Sequence, residues 1–568
     1  MIKNYFKIAI RNLIKYKYFS ILNTLGLALG MSVSLLLISY YAYVSSFDDF
    51  HTKKENIYRV ISTLEKGVDQ NDLASSPFAL VARLQSESTG IKEIVRISAT
   101  FQGDVVSNKL NLPIHGYYAD RSFFSVFDFE MIHGNPLTAL SKPNSIVLTE
   151  SVANKIELSG DLLHKTIEID GLGSFEVTGI IKDEKRTHFM FEALVSMSTL
   201  PAAVRGEEIN PDQWTSYRDE YIYFLVDNSL DIEKFQQSLN HIASDVSSQS
   251  KDSKVSFELQ ALGDITPGPD LDNSIGPDTD YTLIVVFGTL SLLILIPACF
   301  NYTNISIARA LKRSKEIGLR KTMGGLKTQI FFQFITEAIT IAVISLIGAI
   351  IIFLLMRPEF EDLMPGSWLD LSLTWEMIVM FLILSIVAGF LAGVLPAMHF
   401  TGLNPIQALR GQSNSKRFSQ MQVRRMLIIF QFALSLCFIV FLIVFGRQYR
   451  YNLNYDYGFN TENILDIELQ GVDPAKFKSE FSRLSAIRDF SMSSDILGLS
   501  YSSTHVRERS SYDSVEAFQM FADSNYVRNM GLQLLAGHNF PSVFSQQEQH
   551  VLVNEEFLRT WKIANPID

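Results

Sequence analysis

Five stretches of the chain are nearly free of charge: Tyr18 to Phe47, Tyr281 to Ala308, Thr328 to Met356, Met377 to Pro396 and Met426 to Gly446, with Glu337 the one charge inside them. Each is long enough to cross a ~30 Å hydrocarbon layer as a helix, which makes them predicted membrane spans. Between the first two the pattern changes. IYRVISTL (57–64) reads as a strand, Ser76 and Pro77 open a helix running to Ser88, and EIVRISATF (93–101) reads as a second strand. A matching unit follows later: YIYFLVD (221–227), a helix with Ile232, Phe235, Leu239, Ile242 and Val246 on one face, then KVSFELQAL (254–262). Two strand-helix-strand units so far apart predict a split βαβ domain with a large insertion, 103–215. KTIEIDG and SFEVTGII (165–181) make that insertion mostly β, since they alternate around a Gly turn as a hairpin does.

The same pattern restarts after the fifth span. NILDIEL (463–469) reads as a strand, Pro474 opens a helix with Phe477, Phe481 and Leu484 on one face, and a strand is expected near Phe490. Tyr118, Ala119, Asp120 and Gly134 match Phe521, Ala522, Asp523 and Gly537 at an offset of 403 residues, and IVLTE (146–150) corresponds to VLVNE (551–555). The second copy reaches Asp568 before its second strand-helix-strand unit, so 447–568 reads as an incomplete domain of a truncated sequence.

Composition agrees with a multi-domain membrane protein: 568 residues, 47% hydrophobic, net charge −11. Residues 1–17 carry Lys3, Lys7, Arg11, Lys15 and Lys17 and no acid; 301–327 carry seven basic residues against one acid, and 397–425 five against none. The positive-inside rule places all three in the cytoplasm. Residues 48–280 and 447–568 then lie outside, with 357–376 a short outer loop. The acid excess of the outer regions argues against a nucleic-acid partner. Ile2, Phe6, Ala9 and Leu13 share one face of 1–17 and Lys3, Lys7 and Arg11 another, which predicts an amphipathic helix on the inner membrane surface, in contact with lipid.

Three sequence features carry candidate function. In 301–327 Arg309, Lys312, Arg313, Glu316 and Arg320 share a helical face, with Gly324 and Gly325 as a stop. Gly26 and Gly30 in the first span, and Gly389 and Gly393 in the fourth, form GxxxG faces for close helix packing. Glu337 within the third span is either paired near the cytoplasmic interface or used in transport. Pro297 predicts a kink in the second span. Met323 to Thr328 reads MGGLKT, which lacks the Gly-Lys-Ser/Thr spacing of a phosphate-binding loop. The ten histidines show no metal-ligand spacing, no G-x-S-x-G elbow occurs, and Cys299 and Cys437 both fall in spans, so neither metal, catalytic residue nor disulfide is expected.

NYTNISIARALKRSKEIGLRKTMGG (301–325), GVLPAMHFTGLNPIQALRG (393–411), RRMLIIFQFALSL (424–436) and YYADRSFFSVFDFEMIHGNPLTAL (117–140) together resemble the FtsX/MacB-like permease subunits of ATP-binding-cassette systems, of the large two-repeat type. The resemblance implies an α+β protein of the bacterial inner membrane with periplasmic outer domains. It implies no cofactor on this chain, and ATP bound by a separate cytoplasmic ATPase. It also implies three further spans, a possible second permease copy, and possible periplasmic or outer-membrane partners. By the same resemblance 301–327 docks on the ATPase as a coupling segment, with Arg309, Arg313, Glu316, Gly318 and Arg320 as contacts. Two other readings stand beside export: a transmembrane regulator that signals to a periplasmic partner without transport, and a membrane-anchored hydrolase.

Overall fold

The computed structural model describes residues 2–66, 69–87, 90–107, 110–156, 162–200, 214, 217, 219–227, 231–249, 254–277, 279–363, 369–402, 416–469, 472–499, 502–507, 514–541 and 550–563. The chain divides into two compact units, Met1–Leu434 and Ser435–Asp568.

The first unit opens with α1 (Ile2–Lys15) and α2 (Lys17–Ser45), the latter a candidate span. Then follow β1 (Ile57–Lys66), β2 (Asp69–Leu73), α3 (Ala79–Glu87), β3 (Ile91–Ser107), β4 (Leu110–Ala119), α4 (Phe123–Val126), β5 (Met131–Gly134), β6 (Ser145–Thr149), α5 (Glu150–Ile156), β7 (Thr166–Ile169), β8 (Gly173–Ile181), β9 (Ala193–Ser196), β10 (Glu220–Val226), α6 (Ile232–Gln249) and β11 (Lys254–Ala261). The sheet runs β11-β1-β10-β3-β4-β9-β6-β8-β5. Its first four strands are the predicted split βαβ pair: β10 fits between β1 and β3, antiparallel to both, and β11 pairs β1 on the other side. α3 and α6 cover one face with Leu80, Leu84, Phe235, Leu239 and Ile242, all buried.

The insertion closes on itself. β7 pairs β8 at one edge, as the hairpin pattern predicts, and pairs the far end of β3 at the other, with Val105 opposite Ile169. The hydrogen-bonded path β3-β4-β9-β6-β8-β7 therefore returns to β3 as a six-stranded barrel, and Val105, Ile114, Ile146, Leu148, Ile169, Phe175 and Val195 fill the core there. Closure needs small residues where strands crowd. A Cβ on Gly116 would lie 2.0 Å from the Ala193 carbonyl oxygen across the parallel β4-β9 pair.

Four further helices follow: α7 (Tyr281–Thr322), α8 (Lys327–Leu363), α9 (Trp375–Thr401) and α10 (Lys416–Leu453), each containing a candidate span. Two helices here run past the predicted spans. The second span and the basic segment form one helix of 42 residues, continuous through Pro297. Nothing from there to Gly324 breaks the helix, and at ~1.5 Å rise per residue it must extend beyond the hydrocarbon. The third span continues past Met356 into the expected outer loop, with helix bounds Lys327–Leu363, because Arg357 pairs Glu361 one turn on (2.8 Å) and also Asp370 (3.2 Å).

In the second unit α11 (Pro474–Phe481) forms as predicted, capped by the Asp473 carboxylate on Ala475 N–H. β12 (Ser502–Arg507) and β13 (Ser514–Gln519) make a hairpin, followed by α12 (Tyr526–Asn529) and α13 (Glu555–Thr560). The repeat is visible atom by atom. α4 and α12 lie 403 residues apart, and the bonds Phe123 N–H to Asp120 O (3.0 Å) and Phe127 N–H to Phe123 O (2.9 Å) recur as Tyr526 to Asp523 (3.1 Å) and Met530 to Tyr526 (2.9 Å). Gly134 and Gly537 both take positive φ. The strands expected at 463–469 and near Phe490 do not form. Their counterparts β1 and β3 are held by β10, and no such flanking strand is present among the described residues of this unit.

Candidate functional site

The C-terminal end of α7 is shaped by its own cap. Gly324 has φ +89°, its N–H bonds Lys321 O (3.2 Å), and Gly325 N–H bonds Arg320 O (2.9 Å), the paired bonds that end a helix on a left-handed residue. Behind the cap the helix is fastened to its neighbours. Ile317 buries against Ile330, Phe334 and Ile335 of α8 and Ala397 and Phe400 of α9. Arg320 donates to Gln333 Oε1 (2.7 Å), and Lys321 to Thr401 O (2.9 Å). Glu316 and Arg320 pair at 2.8 Å on the exposed side, and Gly318 is buried. The sequence pattern did not single out Leu319, Met323 and Leu326, which lie exposed in the same stretch of chain. Three apolar side chains beside a charged pair on a polar turn were the available signal. Arg309 and Arg313 fall within the α7 backbone, but their side chains lie outside the described residues, as do residues 403–411 of the fourth-span motif.

The GxxxG glycines lie where this bundle is tightest. A Cβ on Gly30 would come 2.7 Å from Ala298 Cβ of α7; on Gly389, 2.7 Å from Ile339 Cα of α8; on Gly393, 2.7 Å from Ala338 Cβ. Gly26 faces only the Asn301 side-chain nitrogen, at 3.1 Å. Both motifs therefore seat helices of the same chain. Thr303 donates to Ala392 O (2.9 Å), tying α7 to α9. Glu337 is buried on α8 and accepts from Asn12 of α1 at 3.4 Å.

A second constellation sits where α2 enters the outer domain, and no sequence pattern announces it. Asp48, with φ +60°, is fully buried. Its carboxylate accepts from Thr187 Oγ1 (2.7 Å) and His188 Nδ1 (2.7 Å), and its N–H bonds Arg186 O (2.8 Å). His188 Nε2 is 2.9 Å from the Tyr223 hydroxyl on β10. Arg59 of β1, beside that hydroxyl, donates to Gln260 Oε1 of β11 through Nε (3.1 Å) and Nη2 (2.5 Å), and Gln260 donates to Asp264 O (2.8 Å). One polar chain thus joins the exit of the first span, the adjacent strands β1, β10 and β11, and the segment that leads to α7.

Its electrostatics follow from burial. Desolvation opposes ionisation of Asp48, but His188 and Thr187 outweigh it and hold the carboxyl below its ordinary value. Desolvation drives His51 down to about 4, and its Nδ1 accepts the Asp128 N–H (3.0 Å), which fixes the ring as neutral. Tyr223 is pushed up to about 12, chiefly by burial. Phe123, Phe127, Phe129, Phe189 and Tyr223 pack ring against ring beside the network, Phe127 edge-on to Phe189 and Tyr223, and keep water from it. On the outer domain's flank lies a groove of 680 Å³, lined by Gln85, Lys92, Arg96, Asp120, Arg121 and Ser198 among others. Arg96 is already held by both Asp120 oxygens at 2.9 Å, and Lys92 pairs Asp227 at 3.3 Å.

Residues 20–242 match the MacB-like periplasmic core domain, and 288–405 match the FtsX-like permease C-terminal domain. The uncharacterized ABC transporter permease YvrN of Bacillus subtilis is 22% identical over 71% of this chain and 98% of its own. The macrolide export ATP-binding/permease protein MacB of Agrobacterium fabrum is 28% identical over 23% of this chain, spanning only 20% of that protein. The crystal structure of the periplasmic region of MacB from Actinobacillus actinomycetemcomitans aligns with 35% of this chain and 87% of its own at 15% identity and a TM-score of 0.26.

Proposed function

Because this chain belongs to the FtsX/MacB-like family of ABC transporter permeases, we propose that it transmits mechanical work from a separate cytoplasmic ATPase to its outer domain. The observation that carries this reading is the single helix α7, which runs without a break from the outer domain's linker to the Glu316–Arg320 tip. A load on the tip would pass to α8 and α9 through Ile317, Arg320 and Lys321, and along α7 itself. At the outer end it would meet the Asp48–His188–Tyr223–Arg59–Gln260 chain, which ties the entry and exit of the membrane part to one sheet. Leu319, Met323 and Leu326 would supply the apolar anchors of the ATPase contact and Glu316 with Arg320 its register. ATP binds the partner, the basic segments lie in the cytoplasm and the outer domains in the periplasm. The work serves export or extraction of a periplasmic or membrane substrate.

The test is reconstitution of the chain with the ATPase of its own host in vesicles. Glu316→Lys and Leu319→Asp should insert normally yet lose about tenfold or more of the permease-dependent ATP hydrolysis, since a central interface anchor is worth ≥ ~2 kcal/mol. Unaltered hydrolysis in both variants refutes the coupling role. Hydrolysis coupled to no displaced cargo, with a periplasmic partner's activity changing instead, would replace export by signalling.

A further inference from the structure

The N-terminal helix α1 is divided into three faces rather than two, which corrects the amphipathic grouping of Ile2, Phe6, Ala9 and Leu13. Ala9 is fully buried against the bundle and Leu13 partly, and Asn12 on that side reaches Glu337 of α8 at 3.4 Å. Phe6, Ile10 and Ile14, one turn apart, are exposed, at 50%, 38% and 64%. Lys7, Arg11 and Lys15 form a third, fully basic stripe, also exposed. The side chains of Ile2 and Lys3 lie outside the described residues.

Docking of the Ala9 face on α8 fixes how the other two point. Just past Tyr16, Tyr18, Ile21, Leu22, Leu25 and Leu29 of α2 are likewise exposed, on a helix long and apolar enough to cross a membrane. A bilayer that covers those side chains would have its boundary at α1, where Phe6, Ile10 and Ile14 are the apolar side chains on offer and the basic stripe lies beside them. Among residues 1–17 five cations face no acid of their own segment. We infer that α1 is a binding surface for anionic phospholipid, aimed by its seat on the third span: Lys7, Arg11 and Lys15 take the headgroup phosphates while Phe6, Ile10 and Ile14 enter the acyl boundary. Each cation near an anionic leaflet adds attraction that falls away within a Debye length, so the binding is salt-sensitive. This inference stands whether or not the chain couples to an ATPase.

The experiment is hydrogen exchange on the full chain in vesicles of phosphatidylcholine alone and in an equimolar mixture of phosphatidylcholine and phosphatidylglycerol. Amides of residues 5–15 should exchange about tenfold or more slowly in the anionic vesicles, and the difference should vanish at high salt. The variant K7E/R11E/K15E should exchange alike in both lipids, whereas K7R/K15R should keep the native difference. Protection of β10 and α6 reports that each variant is folded. Equal native exchange in the two lipids overturns the inference, as does a folded triple reversal that still distinguishes them. Should the triple reversal fail to fold, the native comparison and K7R/K15R decide alone.

Discussion

His188 Nδ1 lies 2.7 Å from the Asp48 carboxylate, and both side chains are withdrawn from solvent where the first membrane helix meets the sheet. A buried pair of this kind contributes little net stability over an apolar pair, yet removing one partner strands the other. Asp48→Ala is therefore expected to cost about 3–5 kcal/mol. Urea unfolding of the intact chain in detergent measures it, and a loss under about 1 kcal/mol would mean that water enters the network.

Acid should loosen the same junction through His51. Its folded-state pKa, about 4, lies below the ordinary histidine value of 6.5, so the unfolded chain takes up the proton first. The stability held by neutral His51 is complete above pH 6.5 and is lost as pH falls toward 4, by about 3 kcal/mol in all. Asp48, whose pKa is also depressed, adds a loss in the same direction only as pH falls through the carboxylate range. The thermal midpoint should therefore decline across that window in the native chain and stay flatter in His51→Gln.

The four packing glycines should rank by what an added methyl meets. Gly389→Ala presses on the Ile339 backbone at 2.7 Å and should lower stability by about 1–3 kcal/mol. Gly26→Ala meets only the end of a flexible Asn301 side chain and should be nearly neutral. Thermal unfolding in one detergent compares them, and an inverted order would disprove the assigned helix contacts.

The cap of α7 can be tested apart from global stability. Gly324→Ala forces a Cβ into a left-handed backbone at a cost of about 1–2 kcal/mol. Amides of 316–325 should then exchange about tenfold faster while those of α9 do not change. An unchanged tip would show that the cap does not hold it.

Hydropathy alone disclosed the five helices among the described residues that are long and apolar enough to cross a membrane, because the bilayer sets a length that composition must match. Strand and helix periodicity placed the two βαβ units, and the 403-residue repeat survives in the turn at Asp120 and Asp523. The Gly324–Gly325 stop was equally readable, since a glycine, having no Cβ, takes the left-handed backbone of a helix end without strain. What the pattern could not contain is any relation between residues distant in the chain. Closure of the insertion through β7 on β3 depends on strands that pair across some 60 residues, and no local rule selects that partner.

The junction shows the limit most clearly. Asp48, His188, Tyr223, Arg59 and Gln260 are single polar residues in five separate segments, each ordinary in its own window. The sequence by itself determined which segments enter the membrane, which form strands, and where the basic helix stops, because those follow from solvent and local backbone sterics. Only the tertiary structure decided that α7 is one continuous helix from linker to tip, that Ala9 rather than Phe6 seats the first helix, and that five dispersed polar groups become one buried chain, because burial removes water and leaves each group only the partners that folding brings to it.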